Sequence, residues 1–179
     1  MFRYGMTQWI AGEEPLEDSF RRLSACGYDS IELAGEPDRL DAAECRRLME
    51  AYGLKADSMC GIFGEGRDLS GAGETGEAAV RYVKKCVDFG AELGTRVLIA
   101  VPSPVGRLSP PKGVPEEKLW DNAVRNLRAA GDYAAGKGLS IAIEAINRYE
   151  TFFVNTIEKA CRLADDACHS AVGVMADTF

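Results

Sequence analysis

The sequence predicts an α/β fold in which helices and strands alternate along one chain and the strands form a parallel barrel of the TIM (β/α)8 type. Helical stripes of apolar residues alternate with short apolar runs, and each helical stripe ends at a glycine or a short polar turn. The apolar runs are continuous, which is typical of strands in a parallel sheet covered by helices. The 179 residues, of which 46% are hydrophobic and 27% charged, suit a single domain over residues 1–179.

Six apolar runs are predicted to be strands, and five stripes are predicted to be helices. The strands are residues 2–6, 28–33, 54–60, 96–101, 139–144 and 171–176. The helical stripes run from Leu16 to Leu23, Cys45 to Tyr52, Ala79 to Leu93, Leu119 to Ala134 and Ile157 to Ala164. Asp41 with Glu44 resembles a capping box, and Asn155 with Glu158 is expected to cap the last helix.

The residues that follow the strands favour a barrel over an open sheet. Neither a G-x-G-x-x-G motif nor a Walker-type loop is present, so the usual nucleotide-binding signals are missing. Polar residues collect directly after strands, at Thr7, Gln8, Cys60, Glu144 and Asp177, where a TIM barrel places its active site. A complete barrel has about eight units and about 250 residues. Because this sequence predicts only about six units, we expect an incomplete barrel, truncated after the sixth strand.

Composition excludes several classes of function. The net charge of −7, from 21 basic and 28 acidic residues, argues against a nucleic-acid partner. No apolar run reaches the roughly 20 residues of a membrane span, and the start lacks a secretory pattern. The six cysteines form no C-x-x-C pair, which favours free thiols and a cytoplasmic protein. A single histidine, His169, argues against Ser-His-Asp chemistry.

The strand that ends in Glu144 is the strongest functional signal. A buried carboxylate costs several kcal/mol unless a cation or donor meets it, so Glu144 either holds a cation, pairs with a Lys or Arg, or faces solvent. Glu144 and Asp177 close consecutive strands, and neighbouring strands lie about 4.8 Å apart. Two carboxylates so close need a cation or a proton, unless both are solvated strand ends. Oxygen ligands suit Mg²⁺ or Mn²⁺, and an added imidazole would favour Mn²⁺ or Co²⁺.

The motifs around these acids resemble those of ketose 3-epimerases, which belong to the xylose isomerase-like TIM-barrel superfamily of sugar phosphate isomerases and epimerases. The resemblance lies in the sequence Glu-Ala-Ile-Asn-Arg-Tyr-Glu at 144–150, in Asn-Thr at 155–156, in Met-Ala-Asp-Thr-Phe at 175–179, and in segments 66–70 and 82–94. It implies a metal-dependent isomerase that epimerises C3 of a ketose or ketose phosphate through an enediolate. Hydroxypyruvate isomerases and inositol-pathway isomerases share parts of the pattern and remain alternatives.

The resemblance also implies roles for three residues. Glu144 is a metal ligand and one of two catalytic acid/bases, Asp177 is a second metal ligand, and Glu150 binds substrate hydroxyls. The implied cofactor is a divalent metal, preferably Mn²⁺, with Mg²⁺ or Co²⁺ as alternatives, and the implied partner is a small sugar. The family's other two metal ligands, a His and a Glu, follow its seventh and eighth strands, for which this sequence has no counterpart.

Several further residues have two interpretations. Trp9, Met59 and Ile62 either form dry walls that raise the pKa of the base or simply pack at the barrel mouth. In the proline-rich segment 102–115, Arg107 or Lys112 either reaches a substrate or phosphate or lies on a surface excursion.

Two other readings of the whole chain stay open. An incomplete barrel exposes sheet edges, which predicts a homo-oligomer or a catalytically incomplete, self-associating fragment. An abasic-site endonuclease is the third reading, and the negative charge and the single histidine argue against it.

Overall fold

Six parallel strands form one sheet in the computed structural model, which describes residues 2–178. The strands pair in chain order, so each is hydrogen-bonded to its sequence neighbours. They are β1 (Gly5–Thr7), β2 (Ser30–Gly35), β3 (Lys55–Gly61), β4 (Val97–Ala100), β5 (Ser140–Glu144) and β6 (Val172–Met175). β1 and β6 form the two edges of the described sheet, so the six units make the predicted partial barrel.

Five α-helices connect the strands, as predicted. They are α1 (Leu16–Ala25), α2 (Ala42–Tyr52), α3 (Gly73–Leu93), α4 (Glu116–Gly136) and α5 (Ile157–Ala167), and a short 3-10 helix (Gln8–Ala11) follows β1. α3 begins six residues before the predicted stripe, at Gly73 where Ala79 was expected. Residues 73–78 are mostly glycine, threonine and glutamate, so no apolar stripe reveals that this turn is helical.

The first strand is shorter than the sequence predicts. Phe2 and Tyr4 are 89% and 67% exposed, and β1 begins only at Gly5. The Tyr4 backbone N–H donates to the Asp29 carboxylate at 2.8 Å, so a side chain takes the place of a strand partner there. Apolar composition alone therefore overestimated the length of this edge strand.

The capping residue at α2 is confirmed, and the one predicted at α5 is wrong. The Asp41 carboxylate accepts from the backbone N–H of Glu44 at 3.0 Å. At α5 the cap is Thr156, whose hydroxyl accepts from the Lys159 N–H at 3.2 Å. Asn155 instead turns its amide away from the helix to bond backbone carbonyls of the preceding loop, because those carbonyls have no partner within a helix or strand.

The core lies between the outer helices and the sheet. Its largest fully buried side chains are Phe20, Phe153, Leu23, Ile31, Leu33, Leu48, Met59, Leu69, Leu98, Leu127, Ile141 and Ile143. Such close packing fixes the strands, and therefore fixes the positions of the residues at their carboxyl ends. All six cysteines are free. Within residues 2–178, none of the helices has the length and apolar character needed to cross a membrane.

Candidate active site

A cavity of about 780 Å³ opens at the carboxyl ends of the strands. Its lining residues come from β1, β2, β3, β5, β6 and the loops that follow β1 and β3–β6. They are Thr7, Trp9, Glu32, Cys60, Gly61, Ile62, Phe63, Val101, Val105, Glu144, Ile146, Glu150, Met175, Ala176, Asp177 and Thr178. A larger hollow of about 1330 Å³ adjoins it and shares Thr7, Glu32, Asp177 and Thr178 with it. All three residues that the sequence assigned to the site therefore lie on one cavity.

Glu144 is the last residue of β5, and the alternation of the strand determines which way it faces. Ile141 and Ile143 are buried at 1% and 0% exposure on one face of β5. Ala142 and Glu144 occupy the opposite face, toward the inside of the partial barrel, because successive strand residues alternate. The Cα partner of Glu144 on β6 is Met175, so Asp177 lies two residues further along the neighbouring strand direction.

The Glu144 carboxyl has a strongly raised pKa. Burial is the largest cause, followed by repulsion from Asp177, Glu32 and Glu150, and together they raise the pKa of Glu144 from 4.5 to about 7. A carboxyl group with this pKa exchanges its proton readily at neutral pH, which is what a general base requires. The same crowding of negative charge favours a bound cation.

Glu32 belongs to this site, and the sequence analysis missed it. It lies on β2 between the buried Ile31 and Leu33, and its carboxylate accepts a hydrogen bond from the Ser58 hydroxyl at 2.7 Å. Thr7, Glu32 and Ser58 are aligned as register partners on the first three strands. The signal was the same as for Glu144, an acid inside an apolar strand, but it stands in the middle of the run instead of at its end.

Glu150 lies in the loop after β5, and Asn147 explains its place in the motif. The Asn147 side-chain amide donates to the Glu150 carboxylate, while its oxygen accepts from the Tyr149 backbone N–H at 2.9 Å. The loop turns tightly, since the Glu150 N–H donates to the Asn147 carbonyl at 3.0 Å. The three-residue spacing of Asn147 and Glu150 therefore places them in one turn, and this turn holds the Glu150 carboxylate at the cavity wall.

Asp177 follows β6 and is exposed on the cavity side of the site. It is the first of the charged groups that raise the pKa of Glu144, which places the two carboxyl groups within electrostatic reach of each other. Phe179, the last residue of the Met-Ala-Asp-Thr-Phe segment, lies outside the described residues.

The donor chemistry of Glu144 and Asp177 fits a hard divalent cation, because both offer carboxylate oxygens. Across residues 2–178, no group of three or more His, Cys, Asp or Glu side chains is arranged to hold a metal ion. Glu144 and Asp177 would supply two ligands of such a site, and the described residues do not complete it.

The structure separates the three apolar residues for which the sequence left two interpretations. Trp9 and Ile62 line the cavity, whereas Met59 is 1% exposed and lies in the core. On β3 the alternation turns Ser58 and Cys60 toward the inside of the barrel and Met59 toward the helices. Burial and the carboxylates of Glu32 and Glu144 raise the pKa of the Cys60 thiol to about 12, so it stays protonated at neutral pH.

The proline-rich segment contributes an apolar residue to the cavity wall, and its Arg107 is paired with a carboxylate. Val105 lines the cavity, and Lys112 is exposed outside it. Arg107 forms an ion pair with the buried Asp68. The expectation that Arg107 reaches a substrate or phosphate is not supported by this arrangement, because its guanidinium already has a carboxylate partner.

Two curated relatives are similar to this chain over most of its length. An L-ribulose 3-epimerase of Methylomonas sp. is 29% identical over 86% of this chain and 53% of its own length. A probable ketose 3-epimerase of Synechocystis sp. is 24% identical over 99% of this chain and 63% of its own length. The chain thus spans between about half and two thirds of the length of these relatives.

Solved structures agree with the observed fold. A D-allulose 3-epimerase from Methylomonas sp., in complex with D-allulose, superposes with a TM-score of 0.86 at 24% identity, covering 97% of this chain and 61% of that one. A xylose isomerase-like TIM barrel protein from Mycobacterium smegmatis, in complex with magnesium, gives 0.74 at 18% identity, covering 99% of this chain and 65% of that one. At these identities the likeness establishes the fold.

A family model described as xylose isomerase-like TIM barrel matches residues 20–179. The match includes five of the six strands, four of the five α-helices and the part of α1 from Phe20 onward. The chain therefore belongs to the xylose isomerase-like TIM barrel family.

Proposed function

We propose that this chain carries part of the active site of a metal-dependent ketose 3-epimerase. The observation that carries the proposal is the half-buried Glu144 carboxyl, whose pKa of about 7 arises from burial and three neighbouring carboxylates. Its place at the carboxyl end of a barrel strand supports the assignment, since this end of the fold holds the active sites of TIM-barrel enzymes. The 3-epimerase activity of the two curated relatives supports the reaction class.

The proposed reaction begins with removal of the proton on C3 of a ketose. The Glu144 carboxylate takes this proton, and the electron pair of the broken C–H bond passes into an enediolate over C2 and C3. An acid on the opposite face of the sugar then returns a proton to C3, which inverts that centre. Glu150 binds substrate hydroxyls and so fixes the sugar with C3 toward Glu144.

Glu144 and Asp177 are the proposed metal ligands in this chain. When bound, a divalent cation supplies Lewis-acid stabilisation for the negative charge that develops on the substrate. Mn²⁺ is the proposed ion, and Mg²⁺ is the alternative that carboxylate ligands and the magnesium complex of the Mycobacterium smegmatis protein both support. The six free thiols support a cytoplasmic location.

The proposal is tested by hydrogen exchange at C3. Protein containing this chain is incubated in D₂O with Mn²⁺ and a panel of free and phosphorylated ketoses, together with hydroxypyruvate and an inositol-derived ketone, and NMR follows deuterium entry. We expect deuterium at C3 of at least one ketose. Glu144→Gln should lower the rate by about 10³-fold, because general-base contributions are of that order.

Glu74→Gln is the matched control, because Glu74 is 79% exposed on α3. It should keep the full rate of exchange. Absence of exchange with every ketose, or a fully active Glu144→Gln, contradicts the proposed function. Exchange only with hydroxypyruvate or the inositol-derived ketone would transfer the proposal to those isomerase classes.

The open side of the sheet supports a second candidate, a barrel fragment that self-associates. β1 and β6 are both edges of the described sheet, and unpaired edges of parallel strands favour pairing with another chain. We propose a homo-oligomer on this ground. Sedimentation velocity of the 179-residue chain should show a dimer or larger species, and a monomer at every concentration would contradict it.

A further inference from the structure

The loops that follow β4 and β5 are joined by two backbone hydrogen bonds next to Glu150. The Gly106 N–H donates to the Glu150 carbonyl at 2.7 Å, and the Phe152 N–H donates to the Arg107 carbonyl at 3.0 Å. Gly106 has a φ of +92°, which a side chain would strain, so glycine lets its N–H point at Glu150. The backbone from Glu150, the proposed substrate-binding residue, to Phe152 is therefore held by Gly106 and Arg107.

The side chain of Arg107 is anchored in a different loop, the one after β3. Its guanidinium pairs with the Asp68 carboxylate, and Asp68 is only 3% exposed. The other oxygen of that carboxylate accepts from the backbone N–H and the hydroxyl of Ser70, at 2.9 and 2.6 Å. These partners hold the Asp68 carboxylate in one position, since loss of any one of them leaves a buried charge less well compensated.

The loop after β3 is itself fixed to a helix. The Asn126 side-chain amide on α4 donates to the carbonyls of Leu69 and Gly71 at 2.8 and 3.1 Å. Asn126 is buried, and Gly76 on α3 makes room for it, because a Cβ at Gly76 would lie 2.4 Å from the Asn126 amide nitrogen. Hydrogen bonds and one ion pair thus run from α4 through Asp68 and Arg107 to Glu150.

We propose that Arg107 is a positioning residue, which acts through its ion pair with Asp68 to hold Glu150 at the cavity wall. The side chain of Glu150 is exposed, so packing does not fix it. Its position depends on the Asn147 amide that donates to its carboxylate, and on the backbone bonds of Glu150 to Gly106 and Asn147. That Glu150 binds substrate rests on the proposed function. That Arg107 orders the Glu150 loop does not, and can be tested in this chain alone.

Amide hydrogen exchange of the 179-residue chain is the first test. Arg107→Met removes the charge and keeps the length of the side chain, and we expect exchange of the Gly106 and Phe152 amides to become about tenfold faster. Asp68→Asn should give the same pattern, because it removes the charge and keeps an acceptor for Ser70. Arg81→Met is the matched control, since Arg81 makes only exposed ion pairs on α3, and it should change neither amide.

Kinetics provide the second test wherever a ketose is turned over. Arg107→Met should raise KM about tenfold and change kcat less than about threefold, since Glu150 is proposed to bind the substrate and is the weakest of the charges that raise the pKa of Glu144. In a Glu150→Gln background the same substitution should add almost nothing to KM, because both changes remove one interaction. Arg107→Lys should recover part of the substrate binding that Arg107→Met loses, because lysine keeps the positive charge but lacks the planar guanidinium that can bond a carboxylate twice.

The outcomes separate the two proposals. Unchanged exchange at Gly106 and Phe152 in both Arg107→Met and Asp68→Asn overturns the positioning role, even in an active epimerase. An additive effect of Arg107→Met and Glu150→Gln on KM also overturns it. Faster exchange in a protein that turns over no ketose supports the positioning role and contradicts only the epimerase. If Arg107→Met fails to fold, the comparison of Asp68→Asn with wild type decides.

Discussion

Partly buried carboxylates have opposite surroundings at the two ends of the sheet. At the amino ends of the strands, Asp57 lies between two arginines, 2.9 Å from Arg3 and 3.8 Å from Arg96. At the carboxyl ends, Glu144 is surrounded by Asp177 and two more acids, and the charged neighbours that shift its pKa are all negative. The chain thus pairs its charge where the barrel needs stability and concentrates like charge where TIM barrels carry out chemistry.

The carboxyl ends of the strands, where Glu144 lies, should show the largest effect, as a dependence of stability on pH. The pKa of Glu144 rises from 4.5 to about 7 on folding, so folding favours its protonated form. The stability that this gives is fully present below pH 4.5 and is lost as the pH rises through 7. With allowance for solvent screening of a half-exposed group, the loss is about 2 kcal/mol.

Glu144→Gln should remove this loss. In urea unfolding with a chelator present, the variant should match wild type near pH 4 and be about 2 kcal/mol more stable near pH 8. Glu74→Gln, on the exposed surface of α3, should follow the wild-type curve. Parallel curves for wild type and Glu144→Gln would show that the two ends of the sheet do not differ as described.

The amino ends of the strands, where Asp57 pairs with Arg3 and Arg96, should show a smaller effect, on stability alone. Asp57→Ala leaves Arg3 and Arg96 without their carboxylate, and we expect the free energy of unfolding to fall by about 1 kcal/mol. Asp38→Ala is the control, because Asp38 pairs with Lys85 at the exposed surface and should cost less than about 0.5 kcal/mol. Urea unfolding at pH 7 measures both. Equal losses in the two variants would contradict a special role for the Asp57 cluster.

The smallest expected effect is on the reactivity of Cys60. Since burial and the carboxylates of Glu32 and Glu144 raise its pKa to about 12, Cys60 should react with iodoacetamide more slowly than the exposed Cys26. Glu144→Gln removes one of the two carboxylates, and the rate at pH 8 should rise about twofold. Peptide mapping of the alkylated protein measures this. An unchanged rate would mean that the field of Glu144 does not reach the thiol.

The sequence predicted the order of the elements and the barrel fold because each β/α unit has its own local pattern, an apolar run followed by a helical stripe of apolar residues. It also placed Glu144 and Asp177 at the ends of strands and Glu150 in the loop that follows Glu144, and the structure brings all three to one cavity. Their chemical roles stay predictions until they are tested by substitution.

Two positions at the site share one explanation. Glu32 was missed, and Met59 was left with two interpretations, because the composition of β2 and β3 does not show which side of each strand faces the inside of the barrel. The alternation along β2 and β3 settles both positions once one inward residue is known. The pairing of Arg107 with Asp68, 39 residues apart in sequence, depends on how two loops meet in space, and no local pattern encodes it.

Val105 and Gly106 are adjacent in sequence and should respond very differently to mutagenesis. Val105 presents its side chain to the cavity, so changing its size reshapes the space available to a ligand. Gly106 presents only its backbone, in a conformation with a φ of +92°. A library intended to alter which ligand this cavity accepts should therefore randomise position 105 and keep glycine at 106.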